Sequence, residues 1–318
     1  MRRYWEQPGG NGSAWNTPLG AGAVWGKPTD PDTIDLRVGG IINPPSRFGV
    51  NVYTGRRSDP IRSVQTVKSF VRMHVPADAF ASAGGDGNVD FMDPILHPGK
   101  IFHVTQAVIR ATTVTGTNLE TDDAMAEDFG HDYDTGRFGY GTFAGTITAY
   151  DLAQIRAGGQ IRHALRYATA ANLLKDNATI RGGYRLKPDS WPQRYQDRQM
   201  GIDIYTGNLK AGTTVGIPFE TPMPPGLTKG GQALWWTMTR YPSFWRDQAG
   251  GGFHLAADQV AAADPLMDEM RKDLPLITQY LLPLRNQHIG GQPFTTSPIN
   301  GPGPRVDSGP PPLAPLMP

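Results

Sequence analysis

AGGQIRHALRYATA, residues 157–170, decides how the rest of the chain is read. Laid out as a strand, it puts Ile161, His163, Leu165 and Tyr167 on one face and Arg162, Ala164 and Arg166 on the other. The histidine therefore points where the apolar residues point. A partly buried imidazole needs partners for both ring nitrogens, and its proton affinity is easily tuned near neutrality. The position suits a core histidine bonded to a backbone carbonyl, the commoner case, or a proton-transfer group. No neighbouring base stands beside it in the sequence.

Upstream, TAYDLAQIRAGG (148–159) predicts a short helix with Asp151 as N-cap and Gly158 as left-handed C-cap. Residues 34–114 are short apolar alternations broken by NPPS, SDP, AGGDGN and HPGK, turns by their Pro, Gly and Asn chemistry. KIFHVTQAVIRATTVTG (100–116) is dense enough in β-branched and aromatic residues for a long strand or a hairpin. Residues 118–142 read as an acidic, glycine-spaced loop. Downstream, residues 179–220 are strand-like again, and KGGQALWWTMTRYPSFW (229–245) turns helical, with Leu234, Met238 and Tyr241 on one side. A second helix starts at ADPLMDEM, where Asp264 caps, Pro265 suits the first turn, and Asp268 and Glu269 complement the positive end. Pro275 and Pro283 punctuate the stretch beyond it.

The composition points the same way. Hydrophobic content of 38% and charged content of 19% are below ordinary globular usage, while 39 glycines and 29 prolines among 318 residues indicate many short strands joined by turns. The fold class expected is all-β with a few short helices. Residues 1–30 read as an extended arm whose Trp5, Trp15 and Trp25 look like plugs for a neighbouring groove, and residues 291–318 as a proline-rich, extended tail. A formal net charge of +1 and the lack of long Lys/Arg runs argue against a nucleic-acid partner. Absence of cysteine excludes disulfides and thiolate metal sites. No signal-type apolar region follows the first arginines and no run of eighteen apolar residues occurs, so neither an export signal nor a membrane span is expected in the chain as given.

Two acidic turns present oxygen ligands at every second position: Asp132, Asp134 and Gly136, and Asp86, Asn88 and Asp90. This matches the first half of an EF-hand loop, but the later bidentate Glu is missing. Both read as acidic turns, with calcium at Asp132 and Asp134 as the alternative and no other cofactor expected. GxSxG, HExxH and clustered histidine ligands are all absent from the sequence.

The succession WNTPLGAGAVW (15–25), RSDPIRSV (57–64), GGDGNVDFMDP (84–94), AGGQIRHAL (157–165) and KAGTTVGIP (210–218), with the helix after Gly230, resembles a largely uncharacterised family of secreted bacterial and fungal proteins. The similarity covers roughly residues 14–290. It implies a jelly-roll-like antiparallel β-sandwich over residues 31–290, with a C-terminal helical segment at 230–285, an architecture common among carbohydrate-binding and polysaccharide-cleaving proteins. The family pattern picks out Asn16, Asp86, Asp93 and His163. Where that pattern has a Glu followed by aromatics, this chain reads FHVTQA with His103, and it lacks the family's usual secretion signal.

A protein without an export signal can leave a cell by lysis, as phage structural proteins do. The function expected is therefore that of a virion-type or extracellular surface protein. It would assemble with other copies of itself or neighbouring virion proteins through its terminal arms. It would bind glycan through Asn16, Asp86, His103 and Arg166. The alternative is a polysaccharide-degrading enzyme in which His163 acts as acid or base, with Tyr205 or Asp93 as partner and Arg162 or Arg166 neutralising a uronate carboxylate.

Overall fold

The computed structural model describes residues 14–16, 18–19, 23–38, 40–42, 51–82, 87–123, 143–175, 205–248 and 252–285. In chain order the elements are α1 (Pro31–Leu36), β1 (Gly40–Ile42), β2 (Asn51–Thr54), β3 (Ile61–Gln65), β4 (Phe70–His74), β5 (Val89–Met92), β6 (Lys100–Thr105), β7 (Val108–Ile109), β8 (Thr113–Thr115) and β9 (Asn118–Asp123). Beyond them lie α2 (Ala149–Arg156), β10 (Leu165–Thr169), β11 (Thr214–Gly216), α3 (Lys229–Arg240), β12 (Ser243–Gln248), β13 (Phe253–Leu255), α4 (Gln259–Ala262), α5 (Pro265–Ile277) and β14 (Leu282–Pro283). The chain is sheet-rich with few, short helices, as its composition predicts. No helix among the described residues is long and apolar enough to cross a membrane.

Residues 51–123 form a sandwich of two four-stranded sheets, β2-β5-β6-β9 and β4-β3-β8-β7. Alternation builds its core. Val64, Met73 and Val114 point inward from one sheet and meet Val89, Phe91, Phe102 and Val104 from the other. The chain passes between layers at Gln106, a non-glycine residue at φ 51°, where the Ala107 N–H donates to the Gly87 carbonyl at 2.9 Å. KIFHVTQAVIRATTVTG is thus β6 of one sheet followed by the β7–β8 hairpin of the other.

The pairing differs from an all-antiparallel scheme, since β2 runs parallel to β5 and β3 parallel to β8. Chain order supplies the reason. Successive strands change layer after β2, β4, β6 and β8, so the chain returns to its first sheet from the far side, and such crossovers permit parallel neighbours. The stretch expected to be an acidic loop is strand in the part that is described, and residues 124–142 lie outside the described residues. Residues 118–123 are β9, paired along its whole length with β6, from Thr105–Asn118 to Lys100–Asp123.

Strands β10 to β14 with β1 build a six-stranded mixed sheet, β1-β13-β10-β12-β11-β14, in which β10–β12 and β1–β13 are parallel. One face carries Leu165, Tyr167, Val215, Trp245, Phe253 and Leu255 against α3 and α5, whose Leu234, Met238, Met270 and Leu274 complete the larger core. Helix α5 caps α3. The Asp273 carboxylate accepts the Thr228 N–H and hydroxyl at 2.7 and 2.6 Å, and Glu269 accepts the Gly230 N–H at 2.7 Å. These anions sit at the positive end of α3, where four N–H groups lack helical partners. Glycine is required for that approach, because a Cβ on Gly231 would lie 2.1 Å from Asp273 Oδ2. Asp264 does cap α5, accepting the Leu266 N–H at 2.9 Å, and the helix runs through Pro275 instead of ending there.

The segment expected to reach a neighbour folds onto its own lobe in the part that is described. Trp15 is buried edge-on against Phe244, with ring centroids 5.1 Å apart, in a cluster with Leu19, Ala164 and Leu284 that Trp25 also joins. Its carbonyl accepts the Ala164 N–H, and Leu19 N–H donates to the Arg240 carbonyl, at 2.6 and 2.7 Å. Trp15 and Trp25 thus fill a groove of their own chain, on the face of the six-stranded sheet that carries Phe244. Residues 1–13 and the tail at 291–318 lie outside the described residues.

Candidate functional site

The start of α2 explains His163. Thr148, not Asp151, is the N-cap: its hydroxyl oxygen accepts the Asp151 N–H at 3.4 Å, and the Asp151 carboxylate accepts the Thr148 N–H at 2.8 Å. This reciprocal pair is the T-x-x-D form of a capping box, and it starts the helix earlier than the cap read from sequence. Gly158, at φ +87°, ends the helix as predicted, with Gly158 and Gly159 N–H groups donating back to the Ile155 and Gln154 carbonyls.

The capping oxygen has a further role. Asp151 Oδ2 also accepts the Thr148 hydroxyl at 2.9 Å and lies 3.2 Å from His163 Nε2, while His163 Nδ1–H donates to the Ala164 carbonyl at 2.9 Å. His163 therefore bridges the first turn of α2 to the entry of β10. It precedes the strand, which begins at Leu165, and both it and Asp151 are buried. The base that sequence inspection did not find beside His163 is twelve residues upstream.

Asp93 serves a different histidine. Its Oδ2 accepts the His74 N–H at 2.7 Å and the His74 ring Nδ1–H at 2.9 Å, and its Oδ1 accepts the N–H groups of Ile95 and Leu96 at 2.9 and 3.0 Å. Burial pushes this carboxyl up, but the backbone N–H groups of His74, Leu96 and Ile95 together with the His74 ring outweigh it and hold Asp93 below its ordinary 3.8. The carboxylate ties the end of β5 in one sheet to the end of β4 in the other. His103 forms a third pair, its Nδ1–H donating to Asp90 at 2.5 Å across the β5–β6 register. Glu120 stands opposite His103 on β9, so Asp90, His103 and Glu120 form one cross-strand row on the face away from the sandwich core.

The remaining candidates are dispersed. Tyr205 is buried in the larger apolar core, Asn16 is buried in the 3-10 turn after Trp15, Arg162 is half-buried, and Arg166 is buried on β10. Asp86, Asp132 and Asp134, including the calcium alternative, lie outside the described residues. Four roles escaped sequence reading: Asp151 and Asp90 as histidine partners, the latter read as part of an acidic turn, and the buried His74 and His254. Only the first left a local signal, the capping-box spacing. His254 is buried on β13, and neither ring nitrogen has a hydrogen-bond partner among the described residues. Burial, with the nearby Arg166 charge second, lowers its pKa from 6.5 to about 4.

No family model, no curated protein and no solved structure matches the chain.

The buried pairs have two measurable consequences. H163A and D151A should each destabilise the protein by about 3 kcal/mol or more in urea denaturation, since each strands a buried polar partner, and the double variant should lose clearly less than the sum. Unchanged unfolding midpoints would contradict the bridging role. For Asp93 the folded pKa is depressed, so its contribution is complete above the unfolded value near 3.8 and fades as pH falls through the lower folded value. The stability gap between wild type and D93N should be constant from about pH 7 to 5 and narrow progressively below about pH 4; a gap that does not narrow as the pH falls below about 4 would refute it.

Proposed function

We propose that this chain is a surface-displayed binding protein that takes an acidic glycan on the outer face of the β4-β3-β8-β7 sheet. The observation that carries the reading is the composition of that face. Register aligns Phe70, Gln65, Thr115 and Val108 in one row across the four strands, and Arg72, Ser63 and Thr113 in the next, which Arg110 extends by donating its N–H to the Thr113 carbonyl. Their neighbours Val64, Met73 and Val114 point into the sandwich, so the rows face outward. Phe70 is 63% exposed beside the fully exposed Val67 of the β3–β4 turn.

Each group has a use against a sugar chain. An exposed ring stacks on the C–H face of a pyranose, hydroxyl and amide groups bond to its hydroxyls, and guanidinium forks pair with uronate carboxylates. The Arg72 guanidinium has no hydrogen bond or ion pair among the described residues, and Arg110 reaches only the Thr115 hydroxyl, at 3.5 Å. Two arginines on an otherwise neutral face make the complementary ligand acidic. His163 is less suited to act on a polysaccharide, because a carbonyl and a carboxylate already engage its two nitrogens.

Display on a virion or an extracellular surface, in contact with other copies or neighbouring virion proteins, belongs to the same proposal. With Trp15, Leu19 and Trp25 packed on their own lobe, that role falls to 1–13 and the proline-rich tail. The jelly-roll comparison and the kinship with secreted proteins narrow to the 51–123 sandwich, which supports them through its two facing sheets.

F70A and R72A should each weaken retention by polygalacturonate in affinity electrophoresis at least about tenfold and leave the melting temperature unchanged. Equal retention of both variants and wild type, or no retention of wild type by any acidic polysaccharide, would defeat the proposal.

A further inference from the structure

We infer that Arg62 and Asn51 form a second, separate site, which accepts a small hydroxycarboxylate between the two sheets of the 51–123 sandwich, beneath the turn at Pro76–Ala79. Strand β3 places the arginine against its own pattern. Ile61, Ser63 and Gln65 face outward, with Ile61 44% exposed, whereas Arg62 shares the inward face with Val64 and lies across from the core residue Met73. An apolar residue outside and a guanidinium inside break the local rule, and such breaks concentrate at functional sites.

The sign that something is held there is Arg62 itself. It is 4% exposed, and no carboxylate among the described residues pairs with it. Among those residues its one hydrogen bond runs from Nη2 to the Ala77 carbonyl at 3.2 Å, and Nε–H is buried without a partner. A buried guanidinium normally has an anion beside it, because an uncompensated charge in the interior is strongly unfavourable. The second group comes from the facing sheet. Asn51 lies across from the core residue Val89, so it too points between the sheets; its Nδ2–H donates to the Phe80 carbonyl at 2.6 Å, while its Oδ1 is buried without a partner. Tyr53 holds the same residue, its hydroxyl accepting the Phe80 N–H at 3.0 Å. The turn closed by Ala79 N–H on the Pro76 carbonyl brings the two anchors, at Ala77 and Phe80, to one place over the sandwich edge.

The unmet groups are a cationic N–H donor and an amide oxygen. A carboxylate answers the first and a hydroxyl hydrogen the second, and a hydroxy acid carries both. Acetate would leave Asn51 Oδ1 stranded, a neutral diol would leave the charge unmet, and a dianionic phosphate would bury a second charge against a single cation. Burial of both groups restricts the ligand to a small acid and keeps out the polysaccharide proposed for the outer face, so the inference does not rest on that reading.

The test uses the full chain with 15N-labelled arginine at pH 7. Sodium glycolate should move the Arg62 Nε–H resonance saturably, sodium acetate should do so at least about tenfold more weakly, and ethylene glycol or sodium chloride should not move it. N51A, which keeps the reporter, should lose the preference for glycolate over acetate. In R62M the rise in melting temperature that glycolate gives wild type should disappear. F70A should respond as wild type does and polygalacturonate should leave the Arg62 resonance in place, so failure here and failure of the outer-face reading are separable results. An Arg62 resonance unmoved by glycolate in folded wild type, the result expected of a guanidinium satisfied by water alone, would overturn the inference. So would an undiminished preference for glycolate in N51A, which decides the matter should R62M fail to fold.

Discussion

Buried histidine–carboxylate pairing is the constraint on which the fold depends. Of the four buried histidines among the described residues, three are held by an aspartate: His74 by Asp93, His103 by Asp90 and His163 by Asp151. Each pair joins elements that the apolar core alone would not fix in register. Asp93 fastens the two sheets of the sandwich at one end, Asp90–His103 locks β5 against β6, and Asp151–His163 couples a helix cap to the strand that opens the central ladder. Desolvating these groups is costly, so the pairs specify geometry more than they add stability. Breaking one leaves a charge or a donor stranded, which is why their positions are restrictive.

That constraint separates structure from recognition. The imidazoles that looked chemically available from the sequence are committed inside the molecule, whereas the outer sheet face presents arginines and a phenylalanine to solvent. The two lobes have separate apolar cores. The sandwich can therefore vary its outer residues without disturbing the helix-backed sheet. His254, on the far side of that second sheet, is the exception to the pattern, with no aspartate on its imidazole among the described residues.

Much of this architecture was legible in the residues. The turn chemistry divided the strands, and Asp264, Pro265 and Gly158 marked helix ends where they occur. Local rules failed where distant parts of the chain decide. Parallel pairing of β2 with β5 depends on a crossover through the other layer, which no single strand records. The aspartates of the His pairs lie 12 to 19 residues from their histidines in sequence, beyond any periodicity that could link them. Trp15 read as a plug and is one, but the groove it fills belongs to its own chain, because Phe244 and Ala164 become neighbours only when β10 and β12 pair. NLETDD looked like a loop by its charge; pairing with β6 overrides that preference, with Leu119 packed against the core and Lys100 opposite Asp123.

Hydrogen–deuterium exchange of the full chain, with and without polygalacturonate, tests the division of labour most directly. Slower exchange confined to residues 61–74 and 108–115, with the amides of 148–165 unchanged, is the result this account predicts. Protection centred on the Asp151–His163 bridge, with the outer sheet unaffected, would contradict it.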